Sequence, residues 1–221
     1  MYKHIVKRLI DMILSGIAIV VFAIPMMLIA IAIKIEDPGP ILFKQRRVGQ
    51  KKNGQITYFM IWKFRSMKMC TPCDVPTHLL ENPEQYITRV GKFIRKTSLD
   101  ELPQLYQVFT SKLSAVGPRP ALWNQTDLIA EREKYGANDV KPGITGWAQI
   151  NGRDELEIPV KARFDGQYTV ALNAGDFKGF IMDMKCLFGT VAYVMKSKGV
   201  VEGGTGEMNR RNEKEEENVT G

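Results

Sequence analysis

Twenty-two consecutive residues, Met12 to Ile33, carry no charge, and no other feature of the chain restricts its fold as strongly. About 20 apolar residues suffice for a helix to cross the hydrocarbon core of a bilayer. A cleaved signal peptide would have a shorter apolar stretch followed by a small-residue cleavage site. Here Lys34-Ile35-Glu36-Asp37-Pro38 follows instead, so the segment is expected to be retained. Lys3, Lys7 and Arg8 precede it; Lys34, Lys44, Arg46 and Arg47 come after it. Positive residues mark cytoplasmic flanks, and both flanks are positive. Pro25, near the middle, lacks a backbone donor and can bend a helix. Composition leaves two geometries open: a straight span that tolerates Pro25, and a helix–break–helix that enters and leaves by the same face.

Asp37-Pro38-Gly39-Pro40 ends that helix. Two strand-like runs follow, Ile41 to Val48 and Gln55 to Phe64, with Asn53-Gly54 between them. Both of those residues accept positive φ, so a hairpin is expected. Met69 to Pro83 reads as a loop. Short helices are expected over Glu84–Lys96, Leu102–Thr110 and Leu122–Tyr135, and an irregular stretch over 138–152. From Phe177 to Met195 apolar residues recur at helical spacing. That pattern fits a core-facing helix, or one lying in the plane of a membrane surface. The expected class is α+β: a membrane-embedded N-terminal segment (1–37), a small, mostly helical domain with a β-hairpin (38–202), and a tail (203–221) too polar to build a core.

The chain's +7 charge is uneven. Residues 203–221 hold five acids and three bases, so the remainder carries +9. A basic body favours anionic partners. Cys70-Thr-Pro-Cys73 has metal-site spacing, but only His78 is near enough in sequence to add a ligand, and a structural zinc site needs four. The two cysteines read as incidental thiols. No Walker loop, Rossmann glycine fingerprint or serine–histidine triad is present.

The stretch Arg95-Lys96-Thr97-Ser98-Leu99-Asp100-Glu101-Leu102-Pro103-Gln104 is the most informative chemically. Two adjacent carboxylates stand before an expected helix start, with Pro103 in its first turn. One reading is structural: Ser98 or Asp100 caps the helix and Glu101 complements its dipole. The other is chemical. A carboxylate with a reference pKa of about 3.9–4.3 is ionised at neutral pH and attacks phosphorus without a base. Lys63, Arg65, Arg95, Lys96, Arg119 and Arg153 supply cations that suit phosphate. Arg119 lies between Pro118 and Pro120, which stiffen its turn.

Taken together, Gly39-Pro40-Ile41-Leu42-Phe43 with Gln45 and Arg47, Lys63-Phe64-Arg65-Ser66-Met67, Ser98 to Gln104, Val116-Gly117-Pro118-Arg119-Pro120, and Lys141 to Gln149 resemble the bacterial sugar transferases, the monotopic phosphoglycosyl transferases. The motifs occur in the family order over roughly residues 1 to 195, in what looks like the minimal form. The resemblance implies a re-entrant membrane helix, interfacial amphipathic helices, and a catalytic pair at Asp100 and Glu101 that also holds Mg2+. It implies substrate-binding roles for Lys63, Arg65, Arg95, Arg119, Arg153 and Asp165. It further implies a UDP-sugar donor, a polyprenyl (undecaprenyl) phosphate acceptor, and a site on the cytoplasmic face of a bacterial inner membrane. A phospholipid membrane is an expected partner, a homodimer a candidate assembly, and nucleic acid is not expected. Two positions depart from the family pattern: Ile24 stands where many members have serine, and Ser111-Lys112-Leu113-Ser114 replaces Gly-Asp-Met-Ser. A non-enzymatic, membrane-anchored adaptor fits the charge and the anchor equally well, but leaves Asp100, Glu101 and Arg119 without a role.

Overall fold

The computed structural model describes residues 1–71, 83–152 and 156–196, the side chains of 193–196 excepted. Cys73, His78, Arg153 and the tail lie outside the described residues; Cys70 is an exposed free thiol.

A π-helical turn, Tyr2–Val6, leads into α1 (Lys7–Val21), and α2 (Ala23–Glu36) follows after one residue. The two axes differ by 60°. Phe22, at φ −92° and ψ 7°, leaves helical geometry between them. Pro25 is the third residue of α2, where a backbone N–H has no intrahelical partner to lose. The bend therefore falls at Phe22, three residues before the proline. Among the described residues no single helix is long and apolar enough to cross a membrane, although the bent pair passes that test jointly.

The buried stripe of α1 is polar: Lys7, Asp11 and Ser15 repeat every fourth residue and are all buried. Each has a partner in the rest of the fold or in its own helix. Lys7 Nζ lies 2.7 Å from Asp183 Oδ2, Asp11 accepts from the Ser114 hydroxyl at 2.7 Å and from the Ala115 N–H at 3.1 Å, and Ser15 donates to the Asp11 carbonyl. Asp183 also accepts from the hydroxyls of Tyr2 (2.6 Å) and Tyr168 (2.9 Å). Burial, reinforced by the Asp183 charge, pushes the Tyr168 phenol well above its ordinary value. On the outer side of α1 and α2, Ile13, Ile17, Val20, Val21, Ile24 and Leu28 are exposed.

The far end of α2 is tied down as well. Glu36 accepts from the backbone N–H groups of Arg89 (2.6 Å) and Val90 (2.9 Å), capping α3 (Arg89–Lys96) from outside. Thr88 supplies the ordinary cap, accepting from Gly91 N–H at 2.9 Å. Asp37 receives Arg65 at 2.7 Å.

Strands β1 (Leu42–Lys52) and β2 (Gln55–Phe64) form an antiparallel hairpin through Asn53 and Gly54, both at positive φ. A bulge between Val48 and Lys51 lets β1 run beyond the expected Val48. Ile61, Val108 and Leu113 pack beneath the hairpin. Gln107, on α4 (Gln104–Phe109), accepts from Trp62 N–H (2.9 Å) and donates to the Met60 carbonyl (2.7 Å). Its amide thus completes a strand edge that would otherwise be buried unpaired.

The expected helix 84–96 is split. A 3-10 turn, Pro83–Tyr86, stops where Ile87 bridges to Met67, and α3 starts afresh at Arg89. Leu122–Tyr135 shortens to α5 (Thr126–Glu133). The stretch 138–152 is not wholly irregular: β4 (Gly143–Thr145) pairs in parallel with β3 (Ser114–Val116), and α6 (Trp147–Ile150) follows. Two long helices, α7 (Ile158–Asn173) and α8 (Asp176–Lys196), close the fold. α8 is two-sided, with Gly179, Asp183 and Cys186 buried and Phe177, Phe188 and Val191 exposed.

Candidate active site

Asp100 and Glu101 lie in a 3-10 turn, Leu99–Glu101, not at the cap of a helix. Ser98 enters that turn with φ +56° and makes no side-chain cap bond, and Pro103 precedes α4. The capping role open to Ser98 and Asp100 is therefore not the one they fill. The left-handed Ser98 turns the chain out of α3, so the two carboxylates face β2 and the Arg119 turn.

Lys63 of β2 reaches both. Its Nζ is 2.9 Å from Glu101 Oε1 and 3.5 Å from Asp100 Oδ2. Arg119 Nη2 donates to the same Glu101 Oε1 at 2.9 Å. The Asp100 side chain is 6% exposed and that of Glu101 12%. Two carboxylates and two cations thus share a small, largely dry volume in which their charges balance. Burying ions costs several kcal/mol each unless partners compensate, so this set exists by mutual pairing.

The turn that presents Arg119 is gripped along its length. The carbonyl of Pro118 accepts from Gly143 N–H (3.0 Å) and that of Ala121 from Val48 N–H (2.9 Å). The carbonyl of Arg119 accepts from Arg132 (2.9 Å) and that of Pro120 from Arg47 (3.1 Å). Four successive carbonyls are held by three different parts of the fold: β4, α5 and β1. Gly117 and Gly146 allow the close approach behind this turn: a Cβ on Gly146 would lie 2.2 Å from the Gly117 carbonyl oxygen.

A cleft opens beside the quartet, with Glu101 and Arg119 on its charged side and Leu102, Leu105, Ile144 and Ile150 on its apolar side. Of the residues expected to bind substrate, Lys63 and Arg119 are brought to the carboxylates. Arg65 is buried and held by Asp37 at the foot of α2. Asp165 is fully buried and bound by Arg132, at 2.6 Å from Nη2 and 2.8 Å from Nε. It stands behind the Arg119 turn. Burial pushes its carboxyl above the ordinary value, against the pull of Arg132. Arg95 is half-buried in the last turn of α3. Lys112 sits over the Trp62 ring at 5.5 Å, on the outer face of the hairpin.

Arg132 was not legible as a site residue, because a lone arginine on a polar helix has no local signal. Gln149, which lines the cleft, ends the Lys141–Gln149 motif but was not singled out there as a site residue.

No group of three or more ligating side chains occurs among the described residues. Two adjacent carboxylates still fit magnesium, which binds through one or two carboxylates and is completed by water and substrate phosphate.

Residues 2–197 match the family model described as bacterial sugar transferase. The UDP-glucose:undecaprenyl-phosphate glucose-1-phosphate transferase of Escherichia coli K12 is 38% identical over 179 residues, 75% of this chain and 36% of its own length. An uncharacterized sugar transferase, EpsL of Bacillus subtilis 168, is 36% identical over 196 residues, covering 89% of this chain and 90% of its own. A UDP-N-acetylgalactosamine-undecaprenyl-phosphate N-acetylgalactosaminephosphotransferase of Aeromonas hydrophila is 38% identical over 148 residues, 66% of this chain and 34% of the relative. The chain thus spans about a third of the first and third relatives and most of the second.

Proposed function

The chain belongs to the bacterial sugar transferase family, and from that premise we propose that it transfers a sugar-1-phosphate from a UDP-sugar to undecaprenyl phosphate by way of Asp100. The observation that carries this reading is the quartet: a largely buried carboxylate pair beside the cleft, neutralised by Lys63 and a rigidly held Arg119. Phosphoryl transfer needs positioning and charge neutralisation more than covalent chemistry from the protein.

In the first step an Asp100 carboxylate oxygen forms a bond to the sugar-linked phosphorus. The phosphorus–oxygen bond to the nucleoside monophosphate breaks, and the monophosphate leaves with the electron pair. In the second step an oxygen of undecaprenyl phosphate attacks the same phosphorus. The bond to Asp100 breaks and its carboxylate is restored. Arg119, with its planar fork, holds the phosphate under attack, and Lys63 orients the two carboxylates. Glu101, with Asp100 beside it, would hold Mg2+, which when bound offsets phosphate charge.

The site works at a bilayer surface in this reading. Both flanks of the apolar segment are fastened to one folded body: Tyr2 and Lys7 to Asp183, Glu36 to α3, and Asp37 to Arg65. A straight span would hold the flanks about 30 Å apart on opposite sides. The bent pair, with its apolar exterior, suits entry into one leaflet from the cytoplasmic face, and the exposed Phe177, Phe188 and Val191 of α8 suit the headgroup layer. Cysteines introduced at Lys3 and Lys44 in intact cells should both resist an impermeant reagent supplied from the periplasm; reaction at position 3 alone would establish a straight span.

Incubating purified protein with a panel of UDP-sugars, undecaprenyl phosphate and Mg2+ tests the activity. UMP release dependent on one donor is the expected result. Silence across the panel, with the protein folded and membrane-bound, would instead favour an adaptor.

A further inference from the structure

Gln149 carries more unmet hydrogen-bonding capacity than any other buried side chain among the described residues. Both its Nε2 and its Oε1 are buried without a partner. The residue is 9% exposed and lines the same cleft as Glu101 and Arg119. Its amide lies against Gly146: the Cβ that Gly146 lacks would stand 2.9 Å from Gln149 Oε1. The nearby hydroxyls of Thr145 and Thr190, by contrast, are 2.5 Å apart and bonded to each other.

A buried amide with both ends unsatisfied costs free energy that methionine, of similar size, would not. Such a group in a cleft wall calls for an explanation, and a ligand supplies one. The carboxamide offers no charge to a phosphate, but it offers one donor and one acceptor side by side. Leu102, Leu105, Ile144 and Ile150 give that wall an apolar surround, in which a hydrogen bond is electrostatically stronger than in water.

We infer that Gln149 reads the uncharged part of the donor, pairing with an edge that presents one hydrogen-bond donor next to one acceptor. This rests on the function proposed above. Both a uracil imide and a hydroxyl or acetamido group of the sugar present such an edge. Arg119 and Lys63 serve the phosphates, and Gln149 supplies the contact that carries identity. A change of side-chain rotamer, a small barrier for an unbonded side chain, turns the amide into the cleft as the ligand enters.

The test uses the full chain in membranes or nanodiscs, with the variants Gln149→Met and Gln149→Glu. Donor KM should rise at least about tenfold in both, the worth of one to two hydrogen bonds, while kcat stays within about threefold, as expected when the lost contact is made equally in ground and transition states. The thermal midpoint of Gln149→Met should equal or exceed that of the unmodified chain, because an unsatisfied amide has been removed. A merely structural glutamine would lower it. Inhibition by UMP separates the two sources of the edge: weaker inhibition in step with KM assigns the contact to the base, and unchanged inhibition assigns it to the sugar. An unchanged donor KM in both variants, with the unmodified chain active, overturns the inference alone. An unmodified chain that releases no monophosphate from any donor defeats the proposed function and this inference together.

Discussion

Around Asp100 the charges are inside, and along α1 and α2 the apolar side chains are outside. Beside the cleft Asp100, Glu101, Lys63 and Arg119 are buried or half-buried and paired with one another. On the N-terminal pair, Val20, Val21 and Ile24 are 63–76% exposed, while α1 buries Lys7, Asp11 and Ser15. A water-soluble helix would show the reverse arrangement. The difference separates two kinds of environment. α1 turns its polar stripe towards the protein and leaves apolar side chains outside, which under the proposed function suits lipid as its other neighbour. The quartet gathers charge, which under the same proposal suits a phosphate-bearing donor. Glu36 and Asp37 link the two regions, holding the end of α2 to α3 and to Arg65, just past the strand that carries Lys63.

The comparison breaks most visibly at Asp100. Asp100→Asn keeps size and burial but removes the nucleophile, and turnover should fall by at least about 1,000-fold. A loss below tenfold would make Asp100 one more structural charge. On the helical pair, Ile24→Asp places a charge at an exposed position beside the bend. The cost of about 2.5–3.5 kcal/mol for a charge within a bilayer predicts membrane partition weakened roughly 100-fold; flotation with liposomes would measure it. Unchanged flotation would mean that this face does not meet lipid. Arg119→Lys sharpens the cleft side. It keeps the charge and loses the fork, so kcat/KM should drop about 10- to 100-fold with little change in unfolding midpoint. Full activity would show that Arg119 matters only to its turn.

How much of this was legible varies with how local the cause is. Asn53-Gly54 announced the hairpin because both residues act on their own backbone. Asp100-Glu101 and the Pro118-Arg119-Pro120 turn stood out for the same reason. The apolar run was plain, but the stripe of Lys7, Asp11 and Ser15 was not, since its partners Asp183 and Ser114 lie about 100 to 180 residues away. α7 escaped notice because the side it buries is small and polar as much as apolar: Ala162, Asp165, Gly166, Tyr168 and Thr169. β4 hid in a Pro/Gly-rich stretch because a three-residue parallel strand has no period to read. The grip on the Arg119 turn, by Arg132 at Arg119 and by Arg47 at Pro120, is likewise tertiary, and no spacing encodes it.

The claim that Asp100 becomes covalently charged with the donor's sugar phosphate is tested most directly by intact-mass spectrometry after a short incubation with donor and Mg2+, without undecaprenyl phosphate. The account predicts one nucleoside monophosphate released per active site, a mass increase equal to one sugar phosphate, and neither in Asp100→Asn. An adduct that persists in Asp100→Asn, or no monophosphate until undecaprenyl phosphate is also bound, would contradict it and favour direct attack by the lipid phosphate.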